Sequence, residues 1–198
     1  MNLPNRITLF RLPLTAVFFV FFFDRPFRDF LPQVPPIPYH HTIAFFCFVM
    51  ACVSDWSDGY LARRWNQVTS FGKLWDPIAD KILVMAAWVT LVANHAMPAW
   101  IVVLLLSRDF AVTGLRIMAA QQGITLGAET GGKLKTVIQL LTIGVLCTHY
   151  ALRQDWGWQL PRPGYAWFEI WTLYPACLIS SLASAWDYFR KNWPVLKT

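Results

Sequence analysis

Residues 42–64, TIAFFCFVMACVSDWSDGYLARR, and 76–93, DPIADKILVMAAWVTLVA, decide how this chain is read. Each joins an uncharged run to carboxylates at one end: Asp55 and Asp58 near the close of the first, Asp76 and Asp80 at the opening of the second. No Asp, Glu, Lys or Arg occurs between Phe30 and Ser54, nor between Ile82 and Ser107. Such runs read as membrane spans, because about 20 helical residues cross a hydrocarbon core roughly 30 Å thick.

Working outward, the whole chain fits that class. Its 198 residues are 56% hydrophobic and 14% charged, and include 15 Phe and 11 Trp, more than a soluble domain of this length needs for its core. The expected fold is an all-α integral membrane protein of six transmembrane helices in a single domain, residues 1–198. The spans predicted are Pro4–Phe23, Thr42–Arg64, one from Asp76 to the turn NHAMP, Ala99–Gln121, Gly132–Tyr150 and Tyr165–Phe189. The start has a basic front and an apolar run like a signal sequence. It lacks a small-x-small cleavage site, so it is expected to stay as the first helix.

With the N-terminus in the cytoplasm, the external loops hold only Arg25, Arg28, Arg153 and Arg162, and the other 13 of 17 basic residues fall inside. That asymmetry favours both termini in the cytoplasm. It also accounts for the net charge of +6 without a nucleic-acid partner. Trp88, Trp100, Trp156, Trp158, Trp167 and Trp171 then fall toward the external interface as anchors. Cys47, Cys52, Cys147 and Cys177 lack metal-ligand spacing and read as small buried hydrophobes. His40, His41, His95 and His149 lie toward the external side, where interfacial roles are expected.

The aspartates converge at the cytoplasmic ends. At 100° per residue, Asp55, Asp58, Gly59 and Ala62 share one helical face with Arg63 at its margin, and Asp76 and Asp80 lie one turn apart. Gly72 is expected in the turn between the helices, where backbone freedom is useful. A carboxylate in a membrane segment costs on the order of 3 kcal/mol, so four together require protonation, basic partners or a bound cation. Oxygen ligands without nearby His or Cys suit a hard ion, Mg²⁺ or Mn²⁺, of the kind that serves phosphoryl chemistry. Gly59 and Ala62 let a diphosphate approach the backbone, and Arg63 can donate to phosphate in a fork. The competing structural reading is that the aspartates cap helices or pair with Arg63, Arg64, Lys73 and Lys81.

Asp55, Asp58, Gly59, Ala62, Arg63, Gly72, Asp76 and Asp80 together spell D-x2-D-G-x2-A-R-x8-G-x3-D-x3-D. This resembles the signature of the CDP-alcohol phosphotransferases, with all eight positions met. The resemblance implies a six-helix membrane enzyme, usually a homodimer, with Asp55, Asp58, Asp76 and Asp80 holding two ions and Asp80 acting as general base. Asn5, Thr8 and Arg11 in NLPNRITLFR look like the N-terminal box of the phosphatidylglycerophosphate synthase subfamily, Asn5 and Thr8 then joining the nucleotide-lipid site. SRDFAVTGLR and GGKLKTVIQ are similar to the same subfamily's fourth and fifth helices, so the likeness runs over residues 2–139.

That subfamily joins CDP-diacylglycerol to glycerol 3-phosphate on the cytoplasmic side of a bacterial inner membrane. A dianionic acceptor needs further cations, and Arg108, Arg116, Lys133 and Lys135 are the candidates. Lys133 and Lys135 stand 200° apart on an ideal helix, so both face one pocket only if the turn at Gly131 and Gly132 is irregular. Asp109 either orients Arg108 or pairs within its helix. Two other readings stand beside this one: a relative using inositol phosphate, serine or phosphatidylglycerol, and a divalent-cation transporter. A transporter would spread its carboxylates through the bilayer, whereas here all four gather at one end.

Overall fold

The computed structural model describes residues 3–23, 37–64, 70–124, 130–158 and 168–193, and within them the side chains of all but 3–9, 56, 58–64, 70–77 and 130. Six α-helices occupy these residues: α1 Leu3–Phe22, α2 His40–Arg64, α3 Ser70–Ala93, α4 Ala99–Gln121, α5 Thr130–Asp155 and α6 Tyr174–Lys191. A single π-helical turn, Glu169–Leu173, leads into α6. The chain divides into two compact units, one of residues 1–96 with 144–159 and the other of 97–143 with 160–198.

In the first unit α1 packs against α2 and α3. The buried face of α1 carries Arg11, Thr15, Phe18 and Phe22, spaced by four, three and four residues as one helical stripe requires. On α2 the matching stripe is His41, Ala44, Phe48 and Ala51, and its next position is Asp55. Phe18 stacks on Phe22 at 5.4 Å and meets Phe48 at 5.5 Å. Ala44, Ala51 and Ala87, all fully buried, keep the helices slim enough for these rings to fit between them. The opposite face of α2, Ile43, Phe46, Met50 and Val53, is exposed although every member is apolar.

Hydrogen bonds close the end of this unit remote from Asp55. Asp155, at the close of α5, accepts from the His41 ring at 2.8 Å on one oxygen. Its other oxygen accepts from the Thr42 amide and the Thr42 hydroxyl, both at 2.7 Å. A carboxylate on the first amides of α2 satisfies donors that the helix leaves open and opposes the positive end of its dipole. Asn94, just past α3, donates from Nδ2 to the Phe22 carbonyl at 2.6 Å and ties α3 to α1.

In the second unit α4 packs on α6, with Val112, Leu115, Ala119, Ala185 and Tyr188 forming a core and Phe189 against it. The start of α5 lies beside α6, where a Cβ on Gly131 would sit 3.6 Å from Ser184 Oγ.

Several boundaries differ from expectation. α3 starts at Ser70, not near Asp76, so Gly72 lies in its first turn and not in the connecting turn. Ser at a helix start is itself a start signal, and it was hidden by the mixed composition of SFGKLW. α5 extends to Asp155, past Tyr150, because Asp155 is held by α2. His41, expected at the interface, is 1% exposed inside this anchor. α4 ends at Gln121 as expected, and Gly123 just past it has φ +75°. Among the described residues, one stretch, Gly131–Asp155, is long and apolar enough to cross a membrane. Phe10–Phe22 and His40–Asp55 are shorter apolar stretches.

Candidate active site

Both aspartate pairs stand on helical backbone, Asp55 and Asp58 on α2, Asp76 and Asp80 on α3. The side chains of Asp58, Gly59, Ala62, Arg63, Gly72, Asp76, Asn5 and Thr8 lie outside the described residues. Asp55 and Asp80 are described, and both belong to the first unit.

Asp55 Oδ1 accepts from Arg11 Nη2 at 2.8 Å. The pair is asymmetric, with the Arg11 side chain 1% exposed and that of Asp55 48% exposed. The buried stripe of α1 brings the guanidinium to the carboxylate. Arg11 is the residue that sequence reasoning undervalued. An arginine inside an apolar helix is nearly always paired, and that rule by itself points Arg11 toward an aspartate. Cys52, three residues before Asp55, lies within electrostatic range of Asp80, Asp55 and Arg11 alike, so the two described carboxylates face one neighbourhood. Asp80 is half-buried beside Ala79 and Leu83, which α3 packs into the core.

A donor set of carboxylate oxygens fits a hard divalent ion, and a half-exposed Asp55 can be approached by one. A second metal-competent group is His40, His41 and Asp155, whose ligand atoms lie within 4.8 Å of one another. It stands at the opposite end of α2, about 21 Å from Asp55 at 1.5 Å per residue. There both oxygens of Asp155 already accept from His41 and Thr42, which makes it an anchor.

The second unit gathers another charged cluster. Arg108, on the buried face of α4, donates from Nε to the Ser181 carbonyl at 3.1 Å and from Nη2 to Ser184 Oγ at 2.7 Å. Arg108 Nη1 and Lys135 Nζ converge on one oxygen of Asp109 at 3.0 and 2.5 Å. Asp109 therefore orients Arg108 and joins it to Lys135. Arg116 donates from Nε to the Tyr188 hydroxyl at 3.1 Å and lies over that ring at 5.3 Å. Lys133 does not join them: α5 is helical from Thr130, and Lys133 is exposed while Lys135 is buried. The irregular turn that would have brought both lysines together is absent from the helix described.

Residues 1–182 match the family model described as CDP-alcohol phosphatidyltransferase. The chain belongs to the CDP-alcohol phosphatidyltransferase family. It is 39% identical to a Bacillus subtilis protein named CDP-diacylglycerol–glycerol-3-phosphate 3-phosphatidyltransferase, over 100% of this chain and 98% of that one. A Pseudomonas fluorescens protein of the same name is 33% identical over 100% of this chain and 93% of its own. A Haemophilus influenzae protein, also of that name, is 37% identical over 75% of this chain and 77% of its own. The family match takes in residues of both units.

Proposed function

We propose that the protein transfers the phosphatidyl group of CDP-diacylglycerol to glycerol 3-phosphate, releasing CMP and forming phosphatidylglycerophosphate. The observation that carries this is the complete eight-position aspartate pattern in a chain similar end to end to proteins named for that reaction. Asp55, Asp58, Asp76 and Asp80 would hold two Mg²⁺ or Mn²⁺ ions, which supply charge neutralisation for the diphosphate when bound. Arg11 holds Asp55 in place. Asp80 takes the proton of the acceptor hydroxyl. The hydroxyl oxygen then forms a bond to the lipid-side phosphorus, and the bond from that phosphorus to the CMP oxygen breaks with its electron pair. Asn5, Thr8, Gly59, Ala62, Arg63 and Gly72 serve the nucleotide-lipid, and Arg108 with Lys135 serves the acceptor phosphate.

The working environment is a bilayer, with six spans, both termini and the aspartates on the cytoplasmic side of a bacterial inner membrane, and a homodimer as the assembly. Supporting this, large apolar side chains face outward in helical stripes: Ile43, Phe46, Met50 and Val53 on α2, and Leu134, Val137, Leu141 and Val145 on α5. Polar residues such as Arg11, Lys135, Gln139 and Ser181 are buried instead. That inversion suits a lipid solvent.

The test is CMP release by detergent-purified protein with CDP-diacylglycerol fixed and the acceptor varied among glycerol 3-phosphate, inositol phosphate and serine. Turnover is expected with glycerol 3-phosphate, lost on chelation and restored by Mg²⁺ or Mn²⁺. Turnover with a different alcohol alone would overturn the acceptor assignment.

A further inference from the structure

Within the second unit α5 and α6 run antiparallel along a polar seam. One end is set by Gly131 against Ser184. Toward the other end Thr142 on α5 and Cys177 on α6 come near enough to interact. Between these anchors α5 presents Lys135 and Gln139, one turn apart, and α6 presents Ser181. Lys135 is 6%, Gln139 2% and Ser181 fully shielded from solvent at 0% exposure.

The charged end of the seam is held together internally: Asp109 joins Arg108 to Lys135, and Arg108 also reaches the Ser181 carbonyl and the Ser184 hydroxyl. Its uncharged members are not. Ser181 Oγ and Gln139 Nε2 are buried without a hydrogen-bond partner. Buried polar atoms are nearly always paired, and leaving one open costs as much as the hydrogen bond it forgoes. A serine hydroxyl both donates and accepts, and an amide nitrogen donates. An alcohol group offers one donor and two acceptor lone pairs, so it can meet both a serine hydroxyl and an amide nitrogen.

We propose that Ser181 and Gln139 recognise the non-reacting hydroxyl of a polyol phosphate acceptor, an assignment that rests on Arg108 and Lys135 serving the acceptor phosphate. For glycerol 3-phosphate this is the hydroxyl on the central carbon. The seam then grades from charge to neutral polarity along the acceptor's own length, and a hydroxyl at the right distance from the phosphate is selected over a methylene.

The probe is 3-hydroxypropyl phosphate, which keeps the phosphate and the reacting hydroxyl and lacks the central one. Wild-type protein is expected to favour glycerol 3-phosphate in kcat/KM by roughly tenfold or more, the discrimination a buried polar site exerts against an analogue that leaves it unpaired. In Ser181→Ala and in Gln139→Met the ratio falls toward one. Both acceptors are measured on the same preparation, so any loss of folded protein cancels from the ratio. A wild-type ratio near one, or a ratio unchanged in both variants, overturns the assignment and leaves these atoms to a buried water. Failure of the wild type to use either phosphate, with CMP still released to another alcohol, overturns the acceptor reading beneath it.

Discussion

At the residue scale, Asp80 carries the sharpest expectation. Asp80→Asn keeps the shape and removes the base, so CMP release should fall by at least a hundredfold, within the range that general-base catalysis contributes. Metal-dependent nucleotide binding should persist in part, measurable by calorimetry. A near wild-type rate would remove Asp80 from the role. Asp109 is different, because its task is to hold two cations. Its carboxylate takes both Arg108 and Lys135 on one oxygen while only 25% exposed. Asp109→Asn leaves those positive charges facing each other, at a cost of about 2 kcal/mol after allowing for partial solvation. A lower Tm in detergent and a raised KM for the acceptor are expected together, and an unchanged Tm would contradict the pairing. The Asp residues were legible because their spacing is a pattern in one dimension. The Arg11–Asp55 and Lys135–Asp109 pairs were not, because each joins different helices.

At the scale of elements, helix existence was readable from apolar runs, and helix ends were not. α3 begins six residues before Asp76, and α5 ends five residues after Tyr150. Ends depend on what satisfies the terminal amides and carbonyls, and for α2 that is Asp155, more than 100 residues away. Asp155→Ala removes three hydrogen bonds and the carboxylate at the start of α2. A loss of about 3 kcal/mol is expected, since hydrogen bonds to a charged group are the stronger kind. The measurement is thermal unfolding in detergent, with kcat below the transition staying within about twofold of wild type. A Tm equal to wild type would mean that the anchor contributes nothing.

At the scale of the whole molecule, outward-facing Phe46, Val103, Leu141, Ile179 and Trp186 are all more than half exposed. A chain with these stripes should stay with the membrane fraction through high-salt washing and leave it only in detergent. Release by salt alone would contradict the six-span reading. By itself the sequence determined the helical class, the apolar segments and the family, because hydrophobic runs and the Asp55–Asp80 spacing are written along one dimension. Only the tertiary structure decided which charges meet. Arg11 with Asp55, Asp109 between Arg108 and Lys135, and Asp155 on the first turn of α2 are contacts made by folding. Lys133 and Lys135 make the physical reason plain: two residues apart in sequence, they are separated by helical rotation into solvent and core.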